Sequence, residues 1–150
     1  MPVNPDYSYV MDVNPQEYED HNKLYKFYEY LREGRLTTTQ CKDCHHIAWP
    51  PRTICPKCIS DKLEWVDVPK KGTIYSYVVQ VNGLPPMFKP PLIYALIDFA
   101  NGLRLFSAII ETDPKDVKKG MEVELAVRDV APDQEGRNRI LPFFKLNATP

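Results

Sequence analysis

Four cysteines decide what this chain can fold into. Cys41 and Cys44 form one Cys-x-x-Cys, Cys55 and Cys58 form a second, and ten residues lie between the pairs. No other cysteine occurs in the 150 residues. A Cys-x-x-Cys turn aims both sulfurs at one point. Two such turns facing each other make a closed tetrahedral S₄ site, whose usual occupant is a structural Zn²⁺. The spacer is short, so the intervening loop must be a tight ribbon.

Three other chemistries fit parts of the pattern. Disulfides need an oxidising compartment. The N-terminus shows no secretory signal, so reduced thiols in a cytoplasmic protein are expected. Cys41-Lys42-Asp43-Cys44-His45 matches the haem-attachment pattern Cys-x-x-Cys-His. Haem attachment would also call for export, and it leaves Cys55 and Cys58 without a role. Iron in an S₄ site of the rubredoxin kind uses the same ligands as zinc and is separated from it by colour. His45 stands where a knuckle often carries glycine and is expected to take a positive φ. With four thiolates present, His45 and His46 are read as neighbours of the metal, not ligands.

Hydrophobic residues make up 43% of the chain, enough for a core. No apolar run approaches the ~20 residues of a membrane span. The formal net charge of −1 argues against a phosphate-backbone binder. Fifteen prolines cluster at 2, 5 and 15, at 50, 51 and 56, and at 85, 86, 90 and 91. They read as stiff connectors between compact pieces.

Residues 1–13 read as extended. Asn14-Pro15-Gln16-Glu17 carries helix-start signals: a capping Asn, Pro at the first helical position and a capping-box acid. A helix is predicted from there to about Arg32, with Gly34 as its stop. Leu24, Phe27, Tyr28 and Leu31 form its apolar stripe. Tyr18, Tyr25 and Tyr30 lie off the stripe. They are either ordinary half-exposed tyrosines or, with Tyr28, a docking surface for a partner. Residues 1–34 are acidic, with seven acidic and three basic side chains.

Residues 35–69 read as the ribbon, with strands at 36–40, 47–49 and 63–66 and with Trp49 and Trp65 as a small hydrophobic lid. So small a unit relies on its metal for folding energy. Residues 70–150 read as all-β. The first strand, 72–81, alternates Tyr75, Tyr77, Val79 and Val81 on one face with Ile74, Ser76, Val78 and Gln80 on the other. Strands at 92–99, 103–110, 121–127 and 139–146 follow, and Asn101-Gly102 suggests a type I′ hairpin. Phe143 and Phe144 are adjacent, so one is expected in the core and the other outside it. Five evenly spaced strands with a break after the third suit a closed OB-type barrel, with an open sandwich as the alternative. The loop 82–91 presents Leu84, Met87 and Phe88, either packed on itself or as a lip over an apolar ligand.

The fold class is therefore mainly β: an N-terminal helix, a Cys₄ ribbon and a C-terminal five-stranded barrel. That order of parts, with Pro-Pro-Arg-Thr-Ile-Cys-Pro-Lys-Cys at 50–58, the Gly72-Thr73-Ile74-Tyr75-Ser76-Tyr77 strand, Gly120-Met121-Glu122-Val123 and the closing Pro142-Phe143, resembles one family. It is the OB-fold, rubredoxin-like zinc-ribbon proteins associated with acyl-CoA enzymes. The likeness runs from about residue 20 to 146. A narrower likeness is to small subunits of thiolases that cleave benzoylsuccinyl-CoA. The resemblance implies a non-catalytic subunit of a hetero-oligomer with a thiolase-fold catalytic partner, helping to hold or pass on acyl-CoA.

The residues agree with an accessory role. Thiolytic acyl transfer needs a reactive cysteine and a general base, usually His. Here the cysteines are committed to metal, and the histidines are His21, His45 and His46. No Gly-rich phosphate loop or Gly-x-Ser-x-Gly occurs. No catalytic residue is expected. If acyl-CoA is a ligand, Lys42, Arg52, Lys89 and Arg104 are candidate cations for its phosphates. Met87, Phe88, Phe106, Phe143 and Phe144 are candidate walls for its apolar arm. The rival reading is nucleic-acid binding, which OB barrels and zinc ribbons also serve. Residues 70–146 carry eleven basic and nine acidic side chains and residues 35–64 five and three, without the basic stripe a single-strand groove needs.

Overall fold

The structure, a computed structural model, describes residues 16–84 and 89–147. The expected extended segment, the Asn14-Pro15 helix start, Met87 and Phe88 lie outside the described residues.

The helix α1 spans Tyr25–Arg32 and buries Phe27 and Leu31. It begins later than its start signals suggest. Asn22 shapes the entry, its side chain accepting from the Leu24 N–H at 2.8 Å. The stop is as expected. Gly34 takes φ 80°, its N–H donates to the Leu31 carbonyl, and the Arg35 N–H donates to that of Tyr30. This is the paired bonding of a Schellman end, where a left-handed residue lets the chain turn back over its last turn.

The ribbon is a three-stranded antiparallel sheet in the order β2-β1-β3, with β1 Thr37–Cys41, β2 Ile47–Ala48 and β3 Leu63–Asp67. Its two tryptophans do not form a private lid. Trp49 meets Phe27 edge-on at 6.0 Å, and Trp65 meets Tyr30 at 5.8 Å. Both pack against the main core. A ribbon this small has little apolar area of its own to bury, so its large rings are shared with the helix. Leu36 and Val68 are almost fully buried, and the Val68 N–H donates to the Leu36 carbonyl at 2.8 Å. Helix, ribbon and barrel thus share one core.

The barrel is closed, with strand order β4-β5-β6-β8-β7. Its strands are β4 Lys71–Gln80, β5 Leu92–Asp98, β6 Arg104–Ile109, β7 Glu122–Val130 and β8 Arg139–Leu146. A 3₁₀ turn, Pro114–Asp116, leads into β7. Gly72 lets β4 close on its neighbours. A Cβ there would lie 2.6 Å from Ile97 Cγ2 and 2.9 Å from the Asp98 carbonyl oxygen.

Three local expectations are corrected. The register of β4 shifts between Ile74 and Ser76, so the simple alternation fails. Ile74 is buried, Tyr77 packs on the core, and the bulged Tyr75 is exposed. A bulge adds one residue and swaps the faces beyond it. The β5–β6 turn is not type I′, because only Gly102 is left-handed, with φ 86°. Its N–H closes on the Phe99 carbonyl, and the Phe99 N–H on that of Leu103. This is the three-residue alternative that places a left-handed glycine last. Finally, Phe143 and Phe144 are both buried, at 0% and 1% exposure. Phe144 joins the cluster that draws on all five barrel strands. Phe143 joins a second cluster with Leu92, Ala108, Ile110, Ala126, Val130 and Leu141. The strand has two cores, not one core and one wet face.

Glu17 ties the segment before the helix to the barrel. Both its oxygens accept from the Ile140 N–H at 3.0 Å, and Arg32 Nη2 donates to Oε1 at 3.1 Å. Burial raises its carboxyl from 4.5 to about 7, against the Ile140 hydrogen bond and the charges of Arg32 and Arg139. The folded chain therefore keeps this proton to a higher pH than the unfolded chain. The stability it adds is full below pH 4.5 and is lost as pH rises through about 7. The loss should be about 3 kcal/mol. Glu17→Gln still accepts from Ile140 but cannot titrate. Urea unfolding at pH 5 and pH 8 should therefore show the wild type losing stability relative to the variant, and an unchanged difference contradicts the assignment.

Candidate metal centre and cleft

The two knuckles are built alike. In the first, at the end of β1, the Cys41 N–H donates to the His46 carbonyl and the His45 N–H to that of Cys41. In the second, the Cys55 N–H donates to the Ser60 carbonyl and the Ile59 N–H to that of Cys55. The residue after each second cysteine is left-handed: His45 with φ 63°, as expected, and Ile59 with φ 65°. A β-branched residue there is strained. Ile59 holds the same place in its knuckle as His45, and that symmetry was the available signal. Ser60 Oγ donates to Asp43 Oδ2 at 2.6 Å and fastens one knuckle to the other.

The four sulfurs converge. All lie within 4.8 Å of one another, with Cys41 to Cys58 and Cys44 to Cys55 both at 3.6 Å. A tetrahedral Zn²⁺ with ~2.3 Å bonds has ~3.8 Å between its sulfurs. The cage therefore fits zinc, and its Sγ atoms stand too far apart for disulfides, whose S–S bond is ~2.0 Å. The Cys44 N–H, with that of Asp43, pulls the Cys41 thiol down to about 6. The Ser60 N–H favours a thiolate at Cys58, yet the neighbouring sulfurs and burial hold that thiol up to about 12. Four thiolates this close repel, and a dication lets all of them ionise together.

A second feature is a cleft of about 650 Å³ where α1, the ribbon and the barrel meet. Leu24, Phe27 and Tyr28 come from the helix side, Trp49 to Thr53 from the ribbon, and Phe106, Leu141 and Pro142 from β6 and β8. Of the residues expected to touch acyl-CoA or a partner, it brings together Arg52, Phe106 and Tyr28. Lys42 and Lys89 are exposed elsewhere. Arg104 grips both oxygens of Asp98, at 2.5 and 3.0 Å, and stacks on the Tyr75 ring. Phe143 and Phe144 lie in the cores. Tyr18 donates to the Asn138 carbonyl at 2.7 Å beneath the guanidinium groups of Arg32 and Arg137. Tyr30 lies between Trp65 and Arg35, and Tyr25 is half-buried. The sequence alone did not single out Trp49 or Leu141 for this cleft, since their neighbours are distant in the chain.

Among the described residues no helix is long and apolar enough to cross a membrane. Residues 29–64 match the family described as the ChsH2 rubredoxin-like zinc ribbon domain, and residues 65–128 match the ChsH2 C-terminal OB-fold domain. A DUF35 domain-containing scaffold protein of Methanothermobacter thermautotrophicus is 35% identical over 115 residues, which is 74% of this chain and 84% of that protein. The benzoylsuccinyl-CoA thiolase subunit BbsA of Thauera aromatica is 32% identical over 105 residues, covering 70% of this chain and 72% of the relative. Among solved structures, a chain of the Ltp2-ChsH2(DUF35) aldolase superposes with a TM-score of 0.69 at 28% identity, covering 83% of this chain and 95% of that one. With its zinc-ribbon cysteines converged and its five-stranded barrel closed, the chain belongs to the DUF35 family, in the ChsH2 form of a rubredoxin-like zinc ribbon followed by an OB-fold domain.

Proposed function

We propose that this chain is a non-catalytic, zinc-pinned subunit of a thiolase-type acyl-CoA complex. In this role it steadies the catalytic partner and helps hold the acyl-CoA substrate, aromatic acyl-CoA included. One observation carries the reading: every cysteine of the chain is drawn into the single S₄ cage. No thiol is left for acyl transfer, so a thiolase nucleophile must come from another chain. BbsA, a benzoylsuccinyl-CoA thiolase subunit, supports a partner of that kind, and the Ltp2-ChsH2(DUF35) aldolase supports a role beside a second protein. A second relative points elsewhere. A probable enoyl-CoA hydratase alpha subunit of Thermomonospora curvata is 29% identical over 119 residues, but the chain spans only 36% of that protein.

Acyl-CoA binding would draw on Arg52 and Phe106 in the cleft and on the 82–91 loop. Tyr25 and Tyr28 give the helix an aromatic surface for the partner. Co-expression of the tagged chain with neighbouring reading frames, followed by affinity purification, tests the reading. The expected result is stoichiometric capture of a thiolase-fold subunit. Capture of a hydratase subunit instead, or no capture, rejects it.

A further inference from the structure

The four cage sulfurs are alike as ligands but not in their access to solvent. Cys41 and Cys55 are buried, Cys44 is half-buried and Cys58 is exposed. The knuckles also differ in how they are held. The first grows out of a sheet: Cys41 ends β1 opposite Leu63 of β3, and β2 begins at Ile47. The second lies in the stretch between Ala48 and Leu63, which holds no strand. Its outer turn, Pro56 to Ile59, is exposed throughout, Ile59 at 73%. Polar ties join it to the first knuckle: Ser60 Oγ donates to Asp43, Lys62 pairs with Asp43 at 3.9 Å, and the Lys42 N–H donates to the Lys62 carbonyl. Next to Cys58, the β-branched Ile59 is held at φ 65°, a conformation that costs such a residue energy.

A metal-bound sulfur is a thiolate wherever it sits in the cage. Solvent access therefore decides which of the four an oxidant reaches first. That sulfur is Cys58. The cage divides into two contacts that cross between the knuckles, Cys41 with Cys58 and Cys44 with Cys55, each at 3.6 Å. Cys41 thus stands in contact with the exposed sulfur and is itself shielded from solvent. Closing their gap to the ~2.0 Å of an S–S bond asks for movement of the second knuckle, the one without a strand.

We propose that Cys58 is a peroxide-sensitive modification site with Cys41 as its resolving partner, so that oxidation links the two knuckles and releases the metal. In the first step the Cys58 thiolate displaces hydroxide from hydrogen peroxide and becomes a sulfenic acid. In the second the Cys41 thiolate displaces hydroxide from that sulfur, and the S–S bond forms. The two sulfurs lose two electrons, the peroxide gains them, and the two hydroxides take protons from solvent to leave as water. Only Cys44 and Cys55 remain as thiolates, too few for a structural four-ligand site. The effect reaches beyond the ribbon. Trp49 and Trp65, the two tryptophans of the chain, pack against Phe27 and Tyr30 of α1, so a ribbon that loses its metal loosens the helix. Peroxide then controls whether the chain is folded for assembly, whatever its partner is.

The test treats the zinc-loaded full chain with increasing hydrogen peroxide. A colorimetric chelator reads released zinc, dimedone traps sulfenic acid, and peptide mass mapping locates the adduct and the disulfide. The dimedone adduct should form on Cys58 at least tenfold faster than on any other cysteine. Without dimedone, one zinc should leave per disulfide formed, and the disulfide should join Cys41 to Cys58. Dithiothreitol with added zinc should restore the four thiols and the original tryptophan fluorescence. Cys58→His offers the metal a nitrogen ligand in place of the exposed sulfur, and its peroxide-driven zinc release should be at least tenfold slower. Metal content before oxidation shows whether that variant is loaded, and mapping of the wild-type chain decides the matter without it. Zinc that stays bound under peroxide that fully oxidises glutathione overturns the proposal. So does a first adduct on Cys44, Cys41 or Cys55, or a disulfide that leaves out Cys41 or Cys58.

Discussion

Cys55→Ser is expected to release the metal and unfold the ribbon. Cys55 is buried and shares its cage with three other sulfurs within 4.8 Å. Serine cannot replace a zinc-bound thiolate. Structural zinc contributes on the order of 10 kcal/mol of apparent binding energy to a small ribbon, comparable to the whole stability of an ordinary domain. The damage should spread, because Leu36, Val68, Trp49 and Trp65 pack into the core that also holds Phe27, Leu31 and Phe144. Metal analysis should find no bound zinc, and thermal unfolding should move down by tens of degrees. A chelator strong enough to strip the wild type should produce the same shift. A variant that loses zinc but melts like the wild type would mean that the ribbon folds on its burial alone.

Phe143→Ala and Phe144→Ala should each cost about 4 kcal/mol, the usual range for deleting a buried aromatic ring being ~3–5. Ordinary pleating gives a different answer. Adjacent strand residues face opposite ways, and a barrel with one wet face would lose little at one of the two positions. Here each ring fills its own cluster, Phe144 among Ile97, Leu105 and Val123 and Phe143 among Ala108, Val130 and Leu141. Urea denaturation of the two variants decides the matter. A cost under 1 kcal/mol for Phe143→Ala would show that the second cluster is not sealed from water.

The metal cage and the barrel were legible because their signals are local. Cys-x-x-Cys spacing fixes which sulfurs can meet, and Val123, Leu125 and Val127 alternate within β7. The Gly34 stop was readable for the same reason, since a left-handed residue ends a helix without help from distant groups. What was not legible depends on partners far along the chain. The buried face of β8 at Phe143 is made by β5, β6 and β7. Glu17 reads as a capping acid until Ile140, remote in sequence, supplies its N–H. The bulge at Tyr75 reverses a face that alternation had set the other way. In the sequence Arg52 is one cation among many, and only the fold brings it into one cleft with Phe106 and Leu141.

Under the proposed function, a zinc-pinned chain without its own nucleophile completes a thiolase-type enzyme. Reconstitution tests it most directly, by measuring CoA-dependent cleavage of an aromatic acyl-CoA with the captured partner alone, with this chain alone and with both. Turnover with both is expected at least tenfold above that of the partner alone, with none from this chain alone and loss of the gain when the chain carries Cys55→Ser. Cleavage by this chain alone, or a partner whose rate is the same with and without it, would rule this role out.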